Sequence, residues 1–261
     1  MEDILSRIVD VKKKEVECLK ADAGKNSFDE SIKQRDAYRG FFKKLSVPGP
    51  SGINIISEIK RASPSKGLID GNLDPVLQAS QYETGGAAAL SVLTDIQFFK
   101  GSFDDLRKAR KSVSLPVLRK DFIISASQVY ESAALGADAV LLIARILSKE
   151  KLKSLLGLCN ELGIDALVEV HSTEELENAT WAGAVLVGIN NRNLRTFKTS
   201  IETAIRMVPY LEKNQIAVAE SGIKSRDDIL RLKDAGIFNF LIGESLVRSE
   251  NPSDFLASLM K

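Results

Sequence analysis

The stretch AVLLI, residues 139–143, is apolar at five consecutive positions before the chain turns polar at Arg145. A strand with one wet face alternates apolar and polar residues, whereas a strand covered on both faces, as in a parallel sheet flanked by helices, does not. Working outward, similar short runs ending in polar or charged residues recur at 54–60, 88–95, 116–121, 166–171, 185–192, 216–221 and 239–245, which makes eight strand candidates. Segments with helical periodicity lie between them, at 104–111, 127–135, 148–162, 173–179, 201–211 and 225–235. Gly136, Gly163 and Gly236 stand where helix C-caps are expected.

Strand and helix alternating over short connections argue for parallel βα units. The chain has 261 residues, close to the roughly 250 of a closed eight-fold barrel. The expected fold is therefore α/β, a (β/α)8 TIM barrel forming one domain over 1–261, with residues 1–48 as an N-terminal helical extension. In the extension, Ile4, Leu5, Ile8, Val9, Val16 and Leu19 outline a helix stripe that Gly24 ends, and 28–45 reads as a second helical stretch carrying Phe41 and Phe42. A lid under the barrel and a flap over its mouth are equally compatible with this pattern. Residues 251–261, with Phe255, Leu256 and Leu259, read as a closing helix.

The formal net charge is +1 with both signs abundant, so the field that nucleic-acid binding exploits is missing. Lys12 to Lys14 form the densest basic run, but acidic Glu15 and Glu17 follow, and the run reads as a solvated helix face. With no long apolar run and acidic residues at the N-terminus, the expectation is a soluble cytoplasmic protein, with neither membrane nor nucleic acid as partner. Cys18 and Cys159 are the only cysteines and read as helix packing residues rather than a disulfide or zinc site.

In a βα barrel the C-terminal strand ends converge on one mouth. In order they are Glu58 and Lys60, Thr94 and Asp95, Lys120 and Asp121, Arg145, Glu169 and His171, Asn190 and Arg192, Glu220 and Ser221, then Gly243, Glu244 and Ser245. Lysines and carboxylates aimed at one cavity are costly unless they pair. Part of the set reads as an ion-pair layer, Arg192 with Glu220 for example. Lysines held close together and partly desolvated are expected to lose basicity while neighbouring carboxylates stay ionised. Lys120 is then the strongest candidate general acid and Glu169 the strongest general base. Ser221-Gly222 and Gly243-Glu244-Ser245 follow adjacent strands where barrels often hold phosphate, within reach of Lys60. SEIKRASPSKG, residues 57–67, brings Glu58 and Lys60 to one face and continues into a Ser-Pro-Ser-Lys-Gly loop that reads as mobile, with Ser63 and Pro64 supporting the substrate side. His171 is the sole histidine, and no GxSxG, GxGxxG or metal-ligand spacing occurs, so a second-shell or rim role suits it and no cofactor is expected.

SEIKRASPSKG, SVLTD with FFKGS (91–102), LPVLRKDF (115–122), GADAVLLIARIL (136–147), ALVEVH (166–171), GINNRNL (188–194), AESGI (219–223) and IGESL (242–246), taken in order, resemble the indole-3-glycerol phosphate synthase family of tryptophan biosynthesis. The resemblance implies a lyase that closes 1-(2-carboxyphenylamino)-1-deoxyribulose 5-phosphate to indole-3-glycerol phosphate with loss of carbon dioxide and water. It implies that Lys120 protonates the ribulose carbonyl oxygen, that Lys60 holds the anthranilate carboxylate or the phosphate, and that Glu169 is the base. The acid role at dehydration stays open between Lys60 and Lys120. Glu58 and Asn190 would orient sugar hydroxyls, Glu220 would tune the lysines, and Ser221, Gly222, Gly243, Glu244 and Ser245 would take the phosphate. Phe99, Phe122, Leu142 and Leu194 would line the aromatic pocket, with Ser63, Pro64 and Arg192 as substrate or ion-pair support. It also tips the extension towards the flap. The partner is a small phosphorylated substrate, and the chain is expected to be a monomer or homodimer.

Three departures from the family pattern stand out: Asn193 where Asp is usual, Ser125-Ala126 where Asp-Pro is common, and variation around Arg119. They bear on rim stability and loop closure. Two rival readings are phosphoribosylanthranilate isomerase, which looks to a Cys and Asp pair that this chain lacks, and a non-catalytic barrel that binds a phosphorylated metabolite.

Overall fold

The computed structural model describes residues 4–22, 28–193 and 196–261. The extension holds α1 (Ile4–Asp22), α2 (Asp29–Lys33) and α3 (Phe41–Leu45). The βα succession then runs β1 (Asn54–Ile59), a small hairpin of β2 (Ala62–Ser63) and β3 (Gly67–Leu68), α4 (Pro75–Thr84), β4 (Ala89–Leu93), α5 (Ile96–Phe99), α6 (Phe103–Ser112), β5 (Val117–Lys120), α7 (Ala126–Ala134) and β6 (Ala139–Ile143). It continues with α8 (Lys149–Leu162), β7 (Asp165–Val170), α9 (Thr173–Ala182), β8 (Leu186–Asn190), α10 (Glu202–Met207), β9 (Ile216–Glu220), α11 (Arg226–Asp234), β10 (Asn239–Ile242), α12 (Glu244–Val247) and α13 (Pro252–Met260).

All eight expected strands are present and close into one parallel barrel in the order β1, β10, β9, β8, β7, β6, β5, β4. Alternation along each strand sorts side chains into two cores. Ile55, Leu90, Val117, Val140, Leu142, Val168, Val187 and Phe240 face the helix layer. Ile56, Leu118, Leu141, Leu167, Val218 and Leu241 face the barrel axis. Serines start the helices: Ser102, Ser148, Ser172 and Ser225 each accept an amide of the first turn. Ser125 forms a capping box with Gln128, so this departure from the family's Asp-Pro keeps a cap at α7. Asn193 likewise accepts the Thr196 amide through Oδ1 at 3.0 Å.

Several expectations need correction. The stretch 28–45 is not one helix: α2 and α3 are separated by 34–40, where Gly40 takes φ +67° and Arg39 is drawn off the helix path. Arg39 Nη1 donates to the carbonyls of Arg110, Val113 and Leu115 at 2.8–2.9 Å, and its backbone amide donates to Asp138 at 3.0 Å. The Ser-Pro-Ser-Lys-Gly loop, expected to carry no further strand, forms the turn of the short antiparallel β2–β3 hairpin. Arg61 at its base forks onto both oxygens of Asp105, at 2.9 and 3.1 Å, and its carbonyl accepts Ile69 N–H. Helices α4 and α5 add to the helical segments named from the sequence, α4 standing where the βα cadence requires one. Cys159 is buried, its thiol pushed up to about 12 by burial, but Cys18 is exposed and is not a packing residue. Gly24, the expected stop of α1, lies outside the described residues. No helix among the described residues is long and apolar enough to cross a membrane.

The extension closes both ends of the barrel. Phe41 and Leu45 of α3 are fully buried against Ala89, Leu118, Ala139, Leu186 and Val218 near the strand starts, where they plug the bottom. At the opposite end Ile4, Leu5 and Ile8 of α1 form part of the wall of a cavity at the mouth. Lid and flap are both present, in successive pieces of one segment.

Candidate active site

The mouth holds a cavity of about 530 Å³. Inward-facing positions at the strand ends deliver its floor. Glu58 lies one residue before the end of β1 and Lys60 follows in phase, Lys120 ends β5, Glu169 lies on β7, Asn190 ends β8 and Glu220 ends β9. Lys120 Nζ stands 3.4 Å from Glu169 Oε2 and 3.4 Å from Glu220 Oε2. Across the floor Lys60 Nζ donates to Glu58 Oε1 at 2.5 Å.

Two carboxylates fit only because glycines face them. In the β7–β8 register Glu169 lies beside Gly188, and a β-carbon on Gly188 would overlap Glu220 Oε1. A β-carbon on Gly243 would overlap Glu58 Oε1 in the same way. Gly243 therefore has a packing duty in addition to its expected place near phosphate.

The floor's ionisation follows from burial opposed by pairing. Burial disfavours the Lys120 ammonium, but Glu220, Glu169 and Glu58 outweigh it and raise its pKa above the ordinary lysine value. The expected loss of lysine basicity is thus reversed, because three carboxylates surround this ammonium. Burial opposes ionisation of Glu169 too, yet Lys120 and His171 hold it below the usual range. Glu58 is likewise lowered, by Lys60 and Lys120 against the cost of burial. Glu220 goes the other way: burial, with Glu169 beside it, pushes it up to about 8 despite Lys120. Glu58 and Glu169 are thus favoured in the ionised form by the ammoniums beside them, whereas burial favours the protonated form of Glu220.

His171 stands behind Glu169. Its Nε2 lies 3.4 Å from Glu169 Oε1 and its Nδ1 lies 3.2 Å from Glu175 Oε2, so of the two expected places it supports a floor carboxylate from behind. The expected pair of Arg192 with Glu220 does not form. Arg192 Nη1 donates to Ser65 Oγ of the hairpin turn at 3.1 Å, while Glu220 is taken by Lys120. Arg145 turns aside to Glu175, at 4.0 Å, and leaves the cavity wall.

Ser63, Pro64, Ser221, Gly222, Glu244 and Ser245 all line the cavity. Ser221 and Gly222 both take positive φ, +65° and +79°, which turns the chain sharply after β9. The Glu244 carboxylate is engaged by Arg248 at 3.3 Å and Lys66 at 3.8 Å, so its backbone rather than its side chain suits an anion. Phe99 and Phe122 lie on one wall with ring centroids 5.9 Å apart. Leu142 does not join them. It faces the helix layer, and Leu141 and Ile143, in the opposite phase, line the cavity instead. Leu194 lies outside the described residues.

Sequence reasoning missed Ile4, Leu5, Ile8, Leu93 and Phe197 as wall residues. It also misread Lys12. This lysine is 2% exposed, and its Nζ lies 2.9 Å from each of Asp95 Oδ2, Asp121 Oδ1 and Glu15 Oε2. A signal was present: Ile8, Lys12 and Val16 share one helix face at a spacing of four.

Comparison with known proteins agrees with this geometry. The family model described as indole-3-glycerol phosphate synthase matches residues 5–259. A protein of that name from Desulfosudis oleivorans is 55% identical over 261 residues, covering 100% of this chain and 99% of its own length. Another of that name, from Bordetella pertussis, is 43% identical with 100% of both chains covered. Among solved structures, the thiamine phosphate pyrophosphorylase of Pyrococcus furiosus shares the fold with a TM-score of 0.59 at 16% identity, over 83% of this chain and 94% of that one.

Proposed function

The chain belongs to the indole-3-glycerol phosphate synthase family, and we propose that Lys120, Glu169 and Lys60 carry the ring closure by which such an enzyme, a carboxy-lyase of tryptophan biosynthesis, makes indole-3-glycerol phosphate. The observation that carries the assignment is the Lys120 ammonium held 3.4 Å from both Glu169 and Glu220 at the floor of the mouth.

In the first step the ring carbon bearing the carboxylate attacks the ribulose carbonyl carbon. The carbonyl oxygen gains charge and takes the proton of Lys120. An ammonium that keeps its proton through the neutral range still donates to an alkoxide, whose conjugate acid is weaker. Carbon dioxide then leaves, and its bonding electrons restore the aromatic ring. In the second step Glu169 removes the proton from the carbon next to nitrogen while the new hydroxyl departs as water, protonated by Lys60 or by re-protonated Lys120. The products are indole-3-glycerol phosphate, carbon dioxide and water, so atoms balance with no cofactor.

Binding residues divide between the two ends of the substrate. Phe99 and Phe122 take the anthranilate ring, and Lys60 reaches its carboxylate or the phosphate. Ser221, Gly222, Gly243 and Ser245, with the backbone of Glu244, take the phosphate, supported by Arg192, Ser63 and Pro64. Glu58 and Asn190 orient the sugar hydroxyls. Anchoring both ends folds a flexible chain into a near-attack geometry, an effect worth up to about 7–11 kcal/mol. Our reading places the enzyme in the cytoplasm as a monomer or homodimer.

The test is to mix the protein with 1-(2-carboxyphenylamino)-1-deoxyribulose 5-phosphate and follow indole fluorescence. Lys120→Ala and Glu169→Gln should lower kcat by about two to four decades with KM within a few-fold, as for groups that act in the transition state. A wild-type protein that binds the substrate and gives a flat trace would establish a non-catalytic barrel instead.

A further inference from the structure

We propose that Lys12 is a positioning residue: it latches α1 onto the mouth of the barrel and, through Asp95 and Asp121, holds the two phenylalanines of the aromatic wall in place. The inference rests on the reading of Phe99 and Phe122 as the ring-binding end of the cavity.

Each carboxylate that Lys12 binds is shared with one of those rings. Asp95 follows β4 and caps α5: its Oδ1 accepts the amides of Phe98 at 2.7 Å and Phe99 at 3.2 Å, and its Oδ2 is given to Lys12. Asp121 follows Lys120. Its Oδ1 accepts the amide of Phe122 at 2.8 Å and faces Lys12, while its Oδ2 accepts Thr94 Oγ1 at 2.6 Å and Arg119 Nη2 at 3.1 Å. The ammonium is thus the joint between two strand ends: Arg119 also reaches Asp121, but among the described residues Lys12 is the cation that touches both Asp95 and Asp121. One turn before Lys12 on the same helix face stands Ile8, and Ile4 lies one turn further back. Both line the cavity opposite the floor. A lysine inserted into an apolar stripe and buried to 2% exposure is costly for the fold of a helix lying on a surface. Its partners are not chosen from the helix itself, Glu15 apart, but from the two turns that carry Phe99 and Phe122.

A buried ion cluster could instead serve stability alone, and the two roles separate in kinetics. Lys12→Met leaves two carboxylates facing each other and risks misfolding. Lys12→Met/Asp95→Asn removes one charge of each sign, keeps an oxygen for the α5 cap and leaves Asp121 paired with Arg119. In this double variant KM should rise tenfold or more while kcat falls less than threefold, since Lys120 sits in its own strand ladder. Backbone hydrogen exchange in residues 4–19 should accelerate at least tenfold, with strand amides unchanged. A folded double variant with KM within twofold of wild type would overturn the proposal, and so would a raised KM without faster exchange in α1. Wild-type protein that forms no indole product would sink the functional reading and not the latch, which the exchange rates then decide alone.

Discussion

Glu220 Oε1 occupies the space that a β-carbon on Gly188 would fill. Gly188 sits beside Glu169 in the sheet register, so the bare strand position is what lets two carboxylates and one ammonium meet at a single point. Gly188→Ala would drive Glu220 off Lys120 or push the strand aside. Overpacking of this size costs about 1–3 kcal/mol. Steady-state kinetics should show kcat lowered at least tenfold with KM little changed, and retention of wild-type kcat would mean that the close approach is irrelevant to turnover.

The raised pKa of Glu220 makes a signed statement about stability. Its ordinary value is 4.5, and in the folded protein it is pushed up to about 8, first by burial and then by Glu169. Above about pH 4.5 the unfolded chain therefore releases a proton that the native state keeps. The stability this group contributes is complete below that pH and is lost as pH rises towards 8. Glu220→Gln cannot ionise and should be free of this loss. In urea denaturation, the stability of the variant relative to wild type should climb steadily between pH 5 and pH 8.5, and a difference that stays flat with pH would show that Glu220 is ionised throughout.

The plug at the bottom of the barrel predicts a different signature. Phe41 is fully buried among strand-start residues, at the opposite end of the barrel strands from the floor carboxylates. Phe41→Ala should cost about 3–5 kcal/mol of stability, as large aromatic truncations do. At temperatures where the variant stays folded, KM and kcat should lie within twofold of wild type. A large rise in KM in folded Phe41→Ala protein would mean that the plug communicates with the mouth.

These particulars show what could be read from sequence. The strands were legible because parallel strands covered on both faces must be apolar throughout, and their polar ends mark the mouth. Phase was harder. Leu142 was placed in the pocket, yet Arg145, already assigned to the mouth, shares the phase of Leu141 and Ile143. Lys12 reads as solvated because Glu15 and Glu17 follow the basic run on the same helix, and Lys13 and Lys14 do lie exposed, but the partners that bury Lys12, Asp95 and Asp121, are distant in sequence. The raised basicity of Lys120 was likewise invisible, since it depends on which oppositely charged groups end up 3.4 Å away.

Arg39 has one more meaning. Three backbone carbonyls accept from its guanidinium and Asp138 accepts from its backbone amide, just before the helix that seals the core and on the chain between that helix and α1 at the cavity wall. Such a rivet divides the segment mechanically. A displacement of α1 can reach the plug along the chain only through a residue tied to the barrel by four hydrogen bonds, so the two ends of the extension are expected to respond independently when either is perturbed.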